Sequence, residues 1–375
     1  MTSLSAHDAP AASTTVRVIA LLYALLVVYA SGYPFSGWHN IGVSPFAYLF
    51  APFPRYRTVF DLVTNIAAYV PLGILVVMAL YPTLKKYAAM LLTLVLGTLL
   101  SGSMEAMQTF LPSRVSSNLD LLANSAGVFI GALLGPFLTR YTLERGYFLP
   151  LRQRWFSEEA SRGLAILILW PLAQIYPQAY LFGHGHFTPV LSNWLSSWLA
   201  RPIELNPLLK SGVALSAAHY WVLETVIAAC GLAGALLTFL CLLRDKSPKL
   251  LLATGLMLTA FAVESLAGYL LFSPQDAFAW LTPGAKAGIV IGILIALCFF
   301  RSHPTTQRRF AVFMLAISLL VVNAAPINPY FSAILQTWVQ GKFLNFNGAT
   351  HFLSLVWPLL LLWFLLHPVH RLKLR

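Results

Sequence analysis

The sequence predicts an all-α, polytopic transmembrane bundle of about ten helices. Three observations carry that prediction. Hydrophobic residues fill 58% of the 375 positions and charged residues only 10%, against about 25% charged in a soluble domain. The apolar positions collect in runs near the ~20 residues that a bilayer core needs. The Lys and Arg residues fall between these runs, so the formal charge of +12 is a topology signal before it is a partner signal. A soluble domain is excluded, and no basic stripe on a polar domain points to nucleic acid.

Ten segments meet the length requirement: 16–33, 61–81, 87–110, 121–139, 163–180, 218–243, 249–272, 284–300, 309–325 and 350–367. In the first, Val18 to Ala30 follow Arg17 and precede Ser31-Gly32, which is also the form of a cleaved leader. The apolar run extends through Tyr33, so a retained helix is expected. The second opens on Asp61 and Asn65. The third ends on Glu105 and Gln108, one turn beyond Ser101, before the turn Leu111-Pro112-Ser113-Arg114. The fourth opens with Asp120 and Asn124 and carries Gly127, Gly131 and Gly135. A link at 142–162, with Arg145, Arg152, Arg154 and the pair Glu158-Glu159, is expected to form a short amphipathic connector. The sixth and seventh segments contain Glu224 and Glu264, and the eighth carries Gly284, Gly288 and Gly292. Trp194, Trp198 and Trp338 lie in the longer connections, where amphipathic aromatics anchor a membrane interface. Cys230, Cys241 and Cys298 are expected to be small buried residues without a disulfide. The first two lie about 16 Å apart on one helix, too far to bridge.

With the amino terminus in the cytoplasm, the inner segments hold 17 of the 24 Lys and Arg residues and the outer segments 6; Lys286 lies inside the eighth span. This asymmetry predicts both termini inside and an even number of spans. An internal repeat is also expected. Tyr33-Pro34, Tyr176-Pro177 and Asn328-Pro329-Tyr330 close the first, fifth and ninth spans. Asp61, His219 and His351 open the second, sixth and tenth. The ladder of Gly127, Gly131 and Gly135 is echoed by Gly284, Gly288 and Gly292. Ladders of this kind let membrane helices approach closely. The expected organisation is a four-helix unit at 1–141, a linker at 142–162, a second, degenerate four-helix unit at 163–300, and a two-helix half unit at 301–375. The repeats would be parallel.

Ionisable groups in a membrane cost about 2.5–3.5 kcal/mol each at a helix centre and call for a reason. Asp61, Asn65, Glu105, Gln108, Arg114, Asp120 and Asn124 are all placed at the outer side by this topology. The Asp61/Asn65 and Asp120/Asn124 pairs are four residues apart, on one helix face each. Arg114 is the natural counter-ion, because its planar fork matches a carboxylate or phosphate.

The linked set Asp61-x3-Asn65, Pro71-Leu72-Gly73, Glu105-x2-Gln108-x3-Pro112-x-Arg114, Asp120-Leu121-Leu122-Ala123-Asn124, Gly127 and Gly131 resembles the VanZ-like family. The resemblance covers about residues 16–140. That family is named for a membrane protein accessory to glycopeptide (teicoplanin) resistance. The resemblance implies a multi-pass protein of the bacterial inner (cell) membrane, and it supplies neither a mechanism nor a cofactor. The second unit keeps Glu264 but has no counterparts of Gln108, Arg114 and Asn124.

On this basis the expected role is accessory handling of a lipid-linked glycan or surface polysaccharide, or glycopeptide tolerance. The polar cluster would be its extracytoplasmic site. The partners would be membrane lipids and a lipid-linked glycan or polyprenyl-phosphate. Three alternatives stay open. A transporter with a parallel-repeat core would need a water-lined path reaching Glu264. An outer-face enzyme acting on a phospho- or glycolipid would need Glu105 and Asp120 to converge on one point. As a scaffold, the cluster would simply lock helix ends together by interhelical hydrogen bonds. His184, His186, His219 and His351 fall on one membrane side and are metal candidates, although H-x-H without further ligands at fixed spacing is unspecific; interfacial residues satisfied by water are the simpler expectation, so no metal is assigned.

Overall fold

The computed structural model describes residues 14–33, 35, 37–40, 42–53, 59–84, 86–112, 114–144, 148–157, 160–206, 215–272, 274–328, 331 and 344–367. Ser113, Arg145, Glu158, Glu159, Pro329, Tyr330 and Trp338 lie outside them. Twelve α-helices occur among the described residues: α1 Thr14–Gly32, α2 Val59–Leu80, α3 Lys86–Gln108, α4 Asn118–Thr139, α5 Phe148–Trp155, α6 Ala160–Ala173, α7 Phe187–Leu199, α8 Ala217–Leu242, α9 Lys249–Leu271, α10 Pro283–Cys298, α11 Pro304–Ala324 and α12 Leu344–Leu366. The only β pairing among the described residues is an isolated bridge between Phe156 and Leu243.

Every expected span carries a helix. Seven of them, α2, α3, α4, α8, α9, α11 and α12, are long and apolar enough to cross a membrane; α1, α6 and α10 are shorter apolar helices. The fifth helix ends earlier than expected, at Ala173, with Pro171 in its last turn. Four residues beyond Ala173, Pro177 has no N–H to donate to the Ala173 carbonyl and disfavours the helical region at Tyr176. Residues 174–180 are not helical, although the run was expected to extend through them. The chain contributes two compact units, Met1–Arg152 and Gln153–Arg375.

In the first unit, α4 packs along α2 and α3, and α1 packs on α2. The faces of α4 explain why. Ala123, Gly127, Val128, Gly131, Ala132 and Gly135 are buried. Leu122, Phe129, Ile130, Leu133, Leu134 and Phe137 are exposed. Small residues point inward and large apolar ones outward, the inverse of a water-soluble helix and the pattern of a lipid-facing one. A side chain at Gly131 would collide with Val70 O, and one at Gly127 with Ile66 O, so the ladder fits directly against the α2 backbone. Arg17 donates from Nε to Ala79 O at 3.1 Å, satisfying a carbonyl at the C-terminus of α2.

In the second unit α8 is central and almost wholly buried, with α10 and α11 packed along it. Here a Cβ at Gly284 would lie 2.7 Å from Trp221 O, and one at Gly288 2.9 Å from Thr225 O. The two-helix segment after residue 300 packs into this unit, α11 on α8 and α12 on α6. Arg308 on α11, 9% exposed, donates to Leu365 O at 2.6 Å, Phe364 O at 3.2 Å and His367 O at 3.4 Å. A cation is well placed at the C-terminus of α12, where unpaired carbonyls and the helix dipole meet it. Cys230 and Cys241 are buried free thiols, whereas Cys298 is exposed at the end of α10, contrary to expectation. Its position in the last helical turn puts it past the packed stretch.

Candidate functional site

The helix ends of the first unit carry the predicted polar residues, most of them in separate pairwise contacts. Asn65 and Asp120 join α2 to α4 through a 2.8 Å bond from Asn65 Nδ2 to Asp120 Oδ1. Asn124 Nδ2 donates to Ser101 Oγ of α3 at 2.9 Å, and both residues are buried. Gln108 Nε2 reaches Ser31 O of α1 at 3.1 Å. Asp61 stands exposed in the first turn of α2.

Glu105 is the most deeply placed carboxylate of the set, 4% exposed. It continues a buried stripe of α3 that steps by four residues through Ala89, Thr93, Gly97 and Ser101. Its Oε2 accepts the Ser117 N–H at 2.7 Å. Ser117 is the N-cap of α4, and its own Oγ accepts from Leu119 N and Asp120 N. The carboxylate therefore lies at the positive end of α4, where a helix terminus stabilises negative charge. Ser116 Oγ adds a 2.7 Å bond to Glu105 O.

Arg114 sits in the turn between α3 and α4, half-buried. Nη2 donates to Tyr33 O at 3.0 Å, while Nε is buried without a partner. Burial holds its pKa below the usual guanidinium range, and the nearby Glu105 charge opposes that shift. The two groups thus feel each other electrostatically, and Arg114 still has a donor to offer. Asn124 Oδ1 is likewise buried and unpartnered. Glu105 serves the first turn of α4 and Asp120 serves Asn65 of α2, so the two carboxylates act at different helix contacts.

The family comparison bears on this same stretch. Residues 16–139 match the VanZ/LLP1 family model. The matched VanZ/LLP1 segment ends with α4, within the first compact unit, and contains every residue of the cluster. No curated protein and no solved structure matches the chain.

The four histidines occupy separate structural roles. His184 is 3% exposed; its Nε2 lies 2.8 Å from Gln174 Nε2 and its Nδ1 2.6 Å from Gln178 Nε2. Burial lowers its pKa to about 3. A neutral imidazole has one N–H, so one of the two amides must present its oxygen to the ring. His186 is held neutral by burial, with its pKa near about 4 despite an opposing backbone hydrogen bond at Ala325. His219 caps α8 through Ser216. His351 stacks on Tyr176, ring centroids 4.3 Å apart. Among the described residues no three His, Cys, Asp or Glu side chains gather as a metal site.

The Gln174–His184–Gln178–Ser354 network was not foreseen. It is assembled from a loop and α12, 170 residues apart, and no local spacing signals such a pairing. Glu264 is the residue that a transporter path was expected to reach. Among the described residues no hydrogen bond reaches its carboxyl; it lines a cavity.

Proposed function

We propose that the VanZ-like segment of this membrane protein binds an anionic, lipid-linked headgroup at the extracytoplasmic interface of the bacterial inner membrane. A polyprenyl-phosphate or lipid-linked glycan is the ligand class, and accessory handling of envelope glycan or tolerance to glycopeptides is the role. The observation that carries this is Arg114. Its guanidinium is half-buried at a helix-end turn, bound to the protein through one nitrogen, with a buried Nε unpartnered. A phosphate oxygen supplies the missing acceptor, and Arg is well suited to it. Glu105, seated on the N-terminus of α4, holds the turn that carries Arg114.

A scaffold role has its own support. The Glu105–Ser117 and Asn65–Asp120 bonds tie α3 and α2 to α4, and they would be useful with no ligand at all. The two roles separate in cells. Arg114→Ala and Glu105→Gln proteins that insert at normal levels are expected to change envelope glycan composition or glycopeptide tolerance. Unchanged composition and tolerance with both variants would leave only the scaffold.

The parallel repeat belongs to the same proposal. The glycine ladder of α4 meets the backbone of α2, and that of α10 meets the backbone of α8. Equivalent ladders on equivalent partners favour two copies of one packing scheme.

A further inference from the structure

The second unit holds a partly open cavity of about 90 Å³, roomy enough for a small polar group or several waters. It is lined by Gln174, Gln178, Glu224, Glu264, Trp280 and Thr282, together with apolar residues, Asp276 and Asn328. No Lys, Arg or His lines it among the described residues. His184 stands behind the two glutamines and is neutral, as burial requires.

The Thr282 and Trp280 donors at this site are already engaged. Thr282 Oγ1 donates to Glu224 Oε2 at 2.5 Å. Trp280 Nε1 donates to Ser265 Oγ at 3.1 Å. Gln174 and Gln178 both contact His184, one as donor and one as acceptor. The acceptors are not spent. Glu224 is 3% exposed and takes its hydrogen bond on Oε2, so Oε1 has no partner among the described residues. Glu264, in the C-terminal half of the apolar helix α9, has no hydrogen bond among the described residues. A buried carboxyl such as Glu224 left this way is costly unless something donates to it. The Trp280 ring, stacked on Phe261 at 5.4 Å, adds a face that attracts cations.

We propose that this cavity binds the protonated amino group of a small amine or of an amine-bearing lipid headgroup. An ammonium supplies three N–H donors and a positive charge, which Glu224 and Glu264 accept. This site is separate in sequence and sign of charge from the Arg114 cluster, and neither proposal depends on the other.

The full-length protein in phosphatidylcholine nanodiscs tests it, with thermal unfolding followed by intrinsic fluorescence. Methylammonium, sodium and tetramethylammonium chlorides are compared at equal ionic strength. Methylammonium at about ten times its Kd is expected to raise the midpoint by on the order of 3–6 °C. Sodium and tetramethylammonium, which lack N–H donors, should not. A second arm replaces phosphatidylcholine by phosphatidylethanolamine without added amine; stabilisation there, absent in Glu224→Gln, assigns the amine to the lipid. Glu264→Gln serves if Glu224→Gln does not fold. The proposal is overturned if neither arm stabilises the unmodified protein, if sodium or tetramethylammonium matches methylammonium, or if the glutamine variants respond like the parent.

Discussion

Glu105 joins a costly residue to a specific compensation. A carboxylate within a bilayer-spanning helix is unfavourable by about 2.5–3.5 kcal/mol, and the N-terminus of α4 returns part of that through the Ser117 N–H. Glu105→Ala leaves that N–H unpartnered and is expected to lower stability by about 1–3 kcal/mol. Glu105→Gln keeps an acceptor and should lose less; thermal unfolding in detergent gives the order. His184 supplies a pH prediction. Its pKa falls from 6.5 to about 3 on burial, so the folded state binds fewer protons than the unfolded chain below 6.5. The stability it helps set is full above about pH 6.5 and is lost as pH falls toward the folded value. Hydrogen exchange in residues 181–199, corrected for intrinsic rates, should therefore quicken between pH 7.5 and pH 5. His184→Asn should reduce the change; an identical response in both proteins would contradict the assignment. At this scale the sequence showed which residues were out of place in a membrane. It did not show partners such as Ser117 N or Tyr33 O, because backbone acceptors and donors leave no side-chain motif.

The helices follow directly from composition, and their packing follows from residue size. Gly131 and Gly127 meet α2 carbonyls, so Gly131→Leu is expected to push α2 and α4 apart and destabilise the first unit by about 1–3 kcal/mol or more. Gly255, with nothing within 4 Å of an added Cβ, should accept Ala without loss; comparing the two unfolding midpoints checks the point. Arg308→Met removes the cation that three carbonyls at the end of α12 accept from, and about 2 kcal/mol is the expected cost. The glycine ladders and the ten apolar segments were legible because periodicity and length carry them. The early end of α6 was less so: Pro177 competes there with a largely apolar run, and the competition is settled by backbone hydrogen bonding rather than hydropathy.

For the whole molecule, the distribution of Lys and Arg predicts both termini in the cytoplasm. Reporter fusions at each end should give the same cytoplasmic signal, and opposite signals would require an odd number of spans. Arg308, counted among the inner charges, is in fact buried against α12, so its weight in that topology is smaller than an exposed loop residue's. The VanZ/LLP1 match to residues 16–139 was readable from linked polar and glycine positions. The cavity of the second unit was not, because its lining comes from α8, α9 and three connecting segments brought together only by folding. The central claim is that Arg114 holds a phosphate-bearing headgroup. Native mass spectrometry of the unmodified and Arg114→Ala proteins, each offered equal polyprenyl-phosphate and phosphatidylcholine, addresses it most directly. Selective retention of the polyprenyl-phosphate by the unmodified protein, lost in Arg114→Ala, is the predicted result. Equal retention by both proteins would contradict it and leave the cluster as a lock on the helix ends.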